Sequence, residues 1–155
     1  MSVIKESIDL DVPVTTAYNQ WTQFEEFPRF MEGVEEVRQL DDTRLHWKAE
    51  IAGAKREWEA KIVEQEPDRV IAWRSEEGVK LAGRVTFEPI EDDTRSRVTL
   101  EMDFDPEGFV EAAGDALGIV RARVDGDTRR FKKFIEERGA ETGAWRGEVK
   151  SGTTR

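Results

Sequence analysis

LAGRVTFEPIEDDTRSRVTLEMDF, residues 81–104, decides what kind of sheet this chain makes. A two-residue loop at Asp92–Asp93 sets Phe87 opposite Val98, Val85 opposite Leu100, Gly83 opposite Met102 and Leu81 opposite Phe104. The same folding-back pairs Glu88 with Arg97, Thr86 with Thr99 and Arg84 with Glu101 on the other face. Large apolar side chains thus share one face, and two opposite-charge pairs share the other. A slip by one residue would exchange the faces and lose both patterns. The segment is an antiparallel hairpin with one buried face.

Upstream, a second hairpin follows from the same reasoning. A loop at Gly53–Ala54 predicts Ala49 opposite Trp58, Trp47 opposite Ala60 and Leu45 opposite Ile62. Lys48 then meets Glu59, an attractive pair, while Glu50 meets Glu57, an unfavourable one. A shorter strand, Val70 to Arg74, offers Ile71 and Trp73 to the same interior, and Glu76 to Gly78 turn the chain into the next strand. Val34 to Leu40 supplies another. The opening segment alternates, with Ile4, Ile8 and Leu10 inward and Glu6 as an exception among them. That makes about seven strands at hairpin spacing.

Between the first two strands the period changes. Pro13 suits a first helical turn, and Ala17, Tyr18 and Trp21 recur at helical spacing. Phe24, Phe27, Pro28, Phe30 and Met31 follow, with Pro28 expected to open a second short helix. After Pro106, Val110, Ala113, Leu117, Val120, Val124, Phe131 and Ile135 recur at three or four, the stripe of an amphipathic helix. From Glu107 to Arg138 it would run roughly 48 Å, long enough for a sheet to wrap along it. Lys132, Lys133 and Arg138 complement the dipole at its end, and Gly139 stops it. One domain over residues 1–139 and a flexible tail over 140–155 are expected, with Trp145 the exception in that polar tail.

Composition excludes several functions. With no cysteine, disulfides, thiolate metal sites and a cysteine nucleophile are ruled out. A net charge of -10 repels nucleic-acid phosphate and anionic lipid, so no nucleic-acid partner is expected. No run is apolar enough for an integral membrane segment or a signal peptide, which points to a cytoplasmic protein.

No catalytic residue, metal set or cofactor motif stands out. His46, the only histidine, falls on the solvent face with Lys48 and Glu50. Gly114 and Gly118 share a helix face and belong to no phosphate loop. Glu6, Arg56 and Arg74 are the charges that alternation could aim inward at the sheet margin, where a partner would be needed. The strongest feature is aromatic: Trp47, Trp58 and Trp73 share the inner face. They are either ordinary core or the wall of a cavity between sheet and helix.

The order strand, two short helices, six strands and long C-terminal helix resembles the helix-grip fold of the START-related (SRPBCC) superfamily. The opening VPVTTAYNQWTQFEEFPRFMEGVEEV (Val12 to Val37) is similar to the polyketide cyclase/dehydrase-like and coenzyme Q-binding START-like branch. AWRS (Ala72 to Ser75), DFDPEGF (Asp103 to Phe109) and RFKKFIEERG (Arg130 to Gly139) extend the likeness over residues 2–139. The resemblance implies an α+β fold, a seven-stranded curved antiparallel sheet wrapped around the C-terminal helix, with a cavity between them.

A small hydrophobic or aromatic ligand, of lipid, quinone or polyketide-like kind, is the partner this implies. Trp47, Trp58, Trp73, Val85, Phe87, Met102 and Phe104 from the sheet and Leu117 and Val120 from the helix are the candidate lining. Phe24, Phe27 and Phe30 are the candidate lid. A non-catalytic binding protein is the leading reading. A polyketide cyclase or aromatase, which would need an inward acid or base, and an interaction module with a filled core and a protein partner remain alternatives.

Overall fold

A computed structural model describes residues 2–51, 54–76, 81–104, 116–150 and 153–154. Strand β1 (Ser2–Leu10) leads into helix α1 (Val14–Trp21) and a 3-10 helix (Phe24–Arg29). Then come β2 (Val34–Asp41), β3 (Arg44–Ile51), β4 (Ala54–Glu66), β5 (Val70–Ser75), β6 (Leu81–Ile90) and β7 (Arg95–Phe104). Helix α2 (Ala116–Arg138) follows, and the short strands β8 (Val149–Lys150) and β9 (Thr153–Thr154) come last. The seven long strands make one curved antiparallel sheet in the order β1-β7-β6-β5-β4-β3-β2. Its inner face and α2 enclose the core with α1 and the 3-10 helix, as the helix-grip reading expects.

The β6–β7 hairpin has the register that its two faces demand, from Leu81–Phe104 through Phe87–Val98 to Glu88–Arg97. Its turn is wider than two residues. Ile90 pairs with Arg95, so Glu91 to Thr94 make the connection, with Glu91, Asp92 and Asp93 all at positive φ. Thr94 closes it by donating its hydroxyl and its N–H to the Glu91 carbonyl. The turn's centre is the expected one, which is why the register is unaffected.

The β3–β4 register needs a correction of two residues. Trp47 faces Trp58, Ala49 faces Arg56, Leu45 faces Ala60, and Ile51 faces Ala54, so Ala54 belongs to the strand. Electrostatics explains the choice. Lys48 now meets Glu57 and Glu50 meets Lys55, two attractive pairs in place of a Glu50–Glu57 repulsion. A shift of two keeps every side chain on its face, so burial alone does not separate the registers.

Two helical boundaries also differ. The 3-10 helix begins at Phe24, and Pro28 lies near its end instead of opening it. Tyr18, Trp21, Phe24, Phe27 and Phe30 are buried; within this aromatic layer Trp21 packs edge-on to Phe27 and Phe30 and tilts against Phe131 of α2. The start expected for α2 at Glu107, with Val110, Ala113 and Gly114, lies outside the described residues. Its end is as expected: Gly139, at φ 73°, donates its N–H to the Ile135 carbonyl.

Residues 141–149, placed by sequence in a flexible tail, lie back along α1 and β4. Buried Asn19 and Gln20 bond Glu141 and Thr142, and Thr22 accepts the Trp145 N–H. Arg146 reaches both Asn19 and Asp68. β4 outruns β3, and β8 pairs with the stretch of β4 that β3 leaves open, burying Val149. Polar residues on α1 are thus buried because the tail supplies their partners.

Candidate ligand-binding cavity

The β3–β4 pairing stacks Trp47 on Trp58, ring centroids 5.8 Å apart and planes 5° from parallel. Trp73, from β5, lies 6.2 Å from Trp47 at 20°. Gly83 on β6 sits directly opposite Trp73, and a Cβ there would come within 2.4 Å of the indole. Glycine is what gives the third ring room over β6. The three indoles form an aromatic wall.

Between that wall and α2 lies a cavity of about 100 Å³. Ala49, Leu81, Leu100 and Met102 complete its sheet side, and Ile119, Val120 and Val124 form its helix side. Met31 and Val34 close one end with the turn between them. Glu32, Glu50, Arg123 and Asp127 supply the charge at its margin.

Those charges hold three elements together. Arg123 Nη1 donates to the Glu32 carbonyl at 2.6 Å and to the Glu50 carbonyl at 3.1 Å. Asp127 Oδ1 accepts the Glu32 N–H at 3.1 Å and a bond from Arg130, whose Nε donates to the Phe30 carbonyl. One face of α2 therefore grips the turn at 30–33. Gly33 makes the approach feasible: its φ is 89°, and a Cβ would fall 1.7 Å from Arg123 Nη1. Asp127 is only 9% exposed, and burial pushes its carboxyl up to about 6, against the opposing pull of Arg130 and Arg123.

Of the residues anticipated from sequence, Trp47, Trp58, Trp73, Met102 and Val120 surround the cavity. Val85, Phe87 and Phe104 are buried in the core and do not line it. Phe24, Phe27 and Phe30, anticipated as a lid, are core residues beneath α1. The Leu117 side chain lies outside the described residues. Arg74 is exposed, Glu6 is half-buried opposite Leu100, and neither they nor Arg56 line the cavity. His46 sits on the outer face within 3.0 Å of Glu57.

Arg123 and Asp127 were not anticipated. A signal existed for the second: Val120, Val124, Asp127, Phe131 and Ile135 are spaced four, three, four and four, so a carboxylate occupies the apolar register of α2. A second hollow, about 420 Å³, lies on the outer sheet face. Its arginines already pair with carboxylates, Arg84 with Glu64, Arg97 with Asp9 and Arg69 with Glu66. It is a solvated charged face.

A family model described as polyketide cyclase/dehydrase and lipid transport matches residues 10–133. The chain belongs to this family. Within it, an uncharacterized 17.2 kDa protein of Streptomyces lincolnensis is 53% identical over 150 residues, 96% of this chain and 99% of that one. Two solved structures share the polyketide cyclase/dehydrase family member's fold. An aromatase/cyclase from a Streptomyces species superposes with a TM-score of 0.74 at 17% identity, over 93% of this chain and 99% of its own. A START superfamily protein from Mycobacterium smegmatis gives 0.66 at 14%, over 88% and 95%. The fold is thus a START-like one. Among the described residues, no helix is long and apolar enough to cross a membrane.

Proposed function

We propose that the protein binds a small hydrophobic molecule in the cavity between the sheet and α2. The single observation that carries this is the wall of three near-parallel indoles facing an apolar helix side across open space. Indoles in a filled core interlock with their neighbours, whereas an aromatic stack that borders a void leaves apolar surface for a guest. At about 100 Å³ the cavity suits one ring or a short branched chain. Burial of apolar surface at about 25 cal/mol per Å² would supply the affinity. The Trp47 N–H, buried without a partner among the described residues, is a donor available to the ligand.

Native mass spectrometry of freshly purified protein, followed by denaturing release, tests this reading. A stoichiometric hydrophobic passenger is expected, with less carried by Trp58→Ala. If neither a passenger nor saturable binding of an apolar dye is found, the reading fails.

A catalytic reading has one observation in its favour. Asp127, a carboxyl lifted to about 6 at an apolar cavity, is suited to exchanging protons near neutrality. Cyclase chemistry of the kind named for the Streptomyces structure would require turnover that Asp127→Asn abolishes while ligand binding persists.

A further inference from the structure

On the core-facing side of β6, Leu81, Val85 and Phe87 all carry bulk, and Gly83 stands among them. Glycine inside a strand weakens it and marks a close approach. Here the approaching group is Trp73. A Cβ at Gly83 would meet Cζ2, Cε2 and Cη2 of that indole at 2.4, 2.6 and 3.0 Å. Ordinary contact between carbons begins near about 3.5 Å, so a side chain at position 83 has to displace the ring by about 1 Å.

The surroundings of the indole give that displacement its direction. Gly83 lies on its β6 side and the fully buried Ile62 on its β4 side. Trp73 is 4% exposed, so there is no path outward to solvent. Close-packed neighbours yield little, whereas the cavity is open space that Trp73 itself borders and Gly83 does not. Resting on the cavity reading above, we infer that Gly83 sets the size limit of the guest, acting from behind the wall through Trp73. Glycine there leaves the indole close over β6 and keeps depth for one ring with a short branch. A side chain there advances the indole into a space of about 100 Å³ and excludes the branch first. Ligand size is thus determined at a position that does not touch the ligand.

Benzene and ethylbenzene differ in size without adding a charge or a hydrogen bond. Full-length protein, stripped of any passenger on a hydrophobic resin, is titrated with each and followed by its tryptophan indole N–H signals in NMR spectra. Wild type is expected to take both. Gly83→Ala should weaken ethylbenzene at least about five-fold more than benzene. Adding Trp73→Phe to Gly83→Ala shortens the ring that advances and should restore ethylbenzene binding, a rescue that general loosening of the sheet does not produce. An ethylbenzene-to-benzene ratio unchanged by Gly83→Ala overturns the inference, as does a double variant no better than Gly83→Ala. Should Gly83→Ala alone not fold, the double variant decides: it must fold and take ethylbenzene, and failure of either overturns the inference. If an apolar dye saturates the wild-type cavity but neither hydrocarbon binds, the inference fails and the cavity reading stands. If the dye does not bind either, both fail.

Discussion

Trp47 and Trp58 lie directly opposite each other across the β3–β4 pairing, with indole planes only 5° apart. Two like chromophores at 5.8 Å couple electronically, so the protein should show an exciton couplet in its circular dichroism. Trp58→Phe keeps an aromatic ring in place and should reduce the couplet to what the Trp47–Trp73 pair supplies, while the fold survives. Trp58→Ala should cost about 3–5 kcal/mol of stability, read by chemical denaturation, if the surrounding sheet does not collapse into the gap. A Trp58→Phe protein whose couplet is unchanged in amplitude would mean that Trp47 and Trp58 do not stack.

Gly33 and Arg123 are predicted to be energetically coupled. Gly33→Ala meets both a positive φ and the Arg123 guanidinium, and should destabilise by about 2 kcal/mol or more. In an Arg123→Ala background the clash with the guanidinium disappears and only the tighter approach to the Glu50 carbonyl remains, so the same substitution should cost measurably less. A double-mutant cycle by urea denaturation reads the difference, and strict additivity would contradict the contact.

Asp127 should leave a mark on the pH dependence of stability. Its carboxyl rises from 3.8 unfolded to about 6 folded, because burial disfavours the charge. Below the lower value both states are protonated and the group is neutral to stability. Between the two, the folded state holds more protons, so stability falls as pH rises, and the penalty persists above about 6. Asp127→Asn removes this dependence. The melting temperature of the variant relative to the wild type should therefore be more favourable at pH 7 than at pH 4. Asp9 and Asp41, held below their usual range by Arg97 and by Thr43, act in the opposite sense in more acid solution. Both proteins share them, so they cancel in the comparison.

Removing residues 140–155 should destabilise the domain. The deletion strips partners from buried Asn19 and Gln20 and uncovers the part of β4 that Val149 seals. Loss of roughly 2–4 kcal/mol is expected from these terms, or several degrees in melting temperature. An unchanged melting temperature would show that the segment contributes no net stability.

How far the sequence can be read depends on how many independent patterns a segment carries. The 81–104 hairpin carries two, apolar pairs inside and charge pairs outside, and they agree on one register. Around Trp47 the inner face is punctuated by Ala49 and Ala60, which fit either of two registers, and only the Glu50 pairing discriminates. The candidate cavity was half legible. Tryptophan alternation shows which side the wall occupies, but the division between cavity and core among Val85, Phe87, Leu100 and Met102 depends on how far α2 stands from each strand. Arg123 was invisible because its partners are backbone carbonyls, which every residue has. The tail's anchorage was invisible for a similar reason: a two-residue strand has no period, and Asn19 and Gln20 look like surface residues until Glu141 and Thr142 arrive.

The reach of Arg123 has one more implication. A single guanidinium spans from α2 to the 30–33 turn and to the end of β3, so its length, with the Asp127 and Arg130 bonds to the same turn, bears on how wide the cavity stands. Arginine to lysine there would draw the helix and the two carbonyls to a different separation without altering any residue of the aromatic wall. Width and surface are thus set by different parts of the molecule: the sheet supplies the aromatic side of the cavity, and three positions on the helix, Arg123, Asp127 and Arg130, hold its margin.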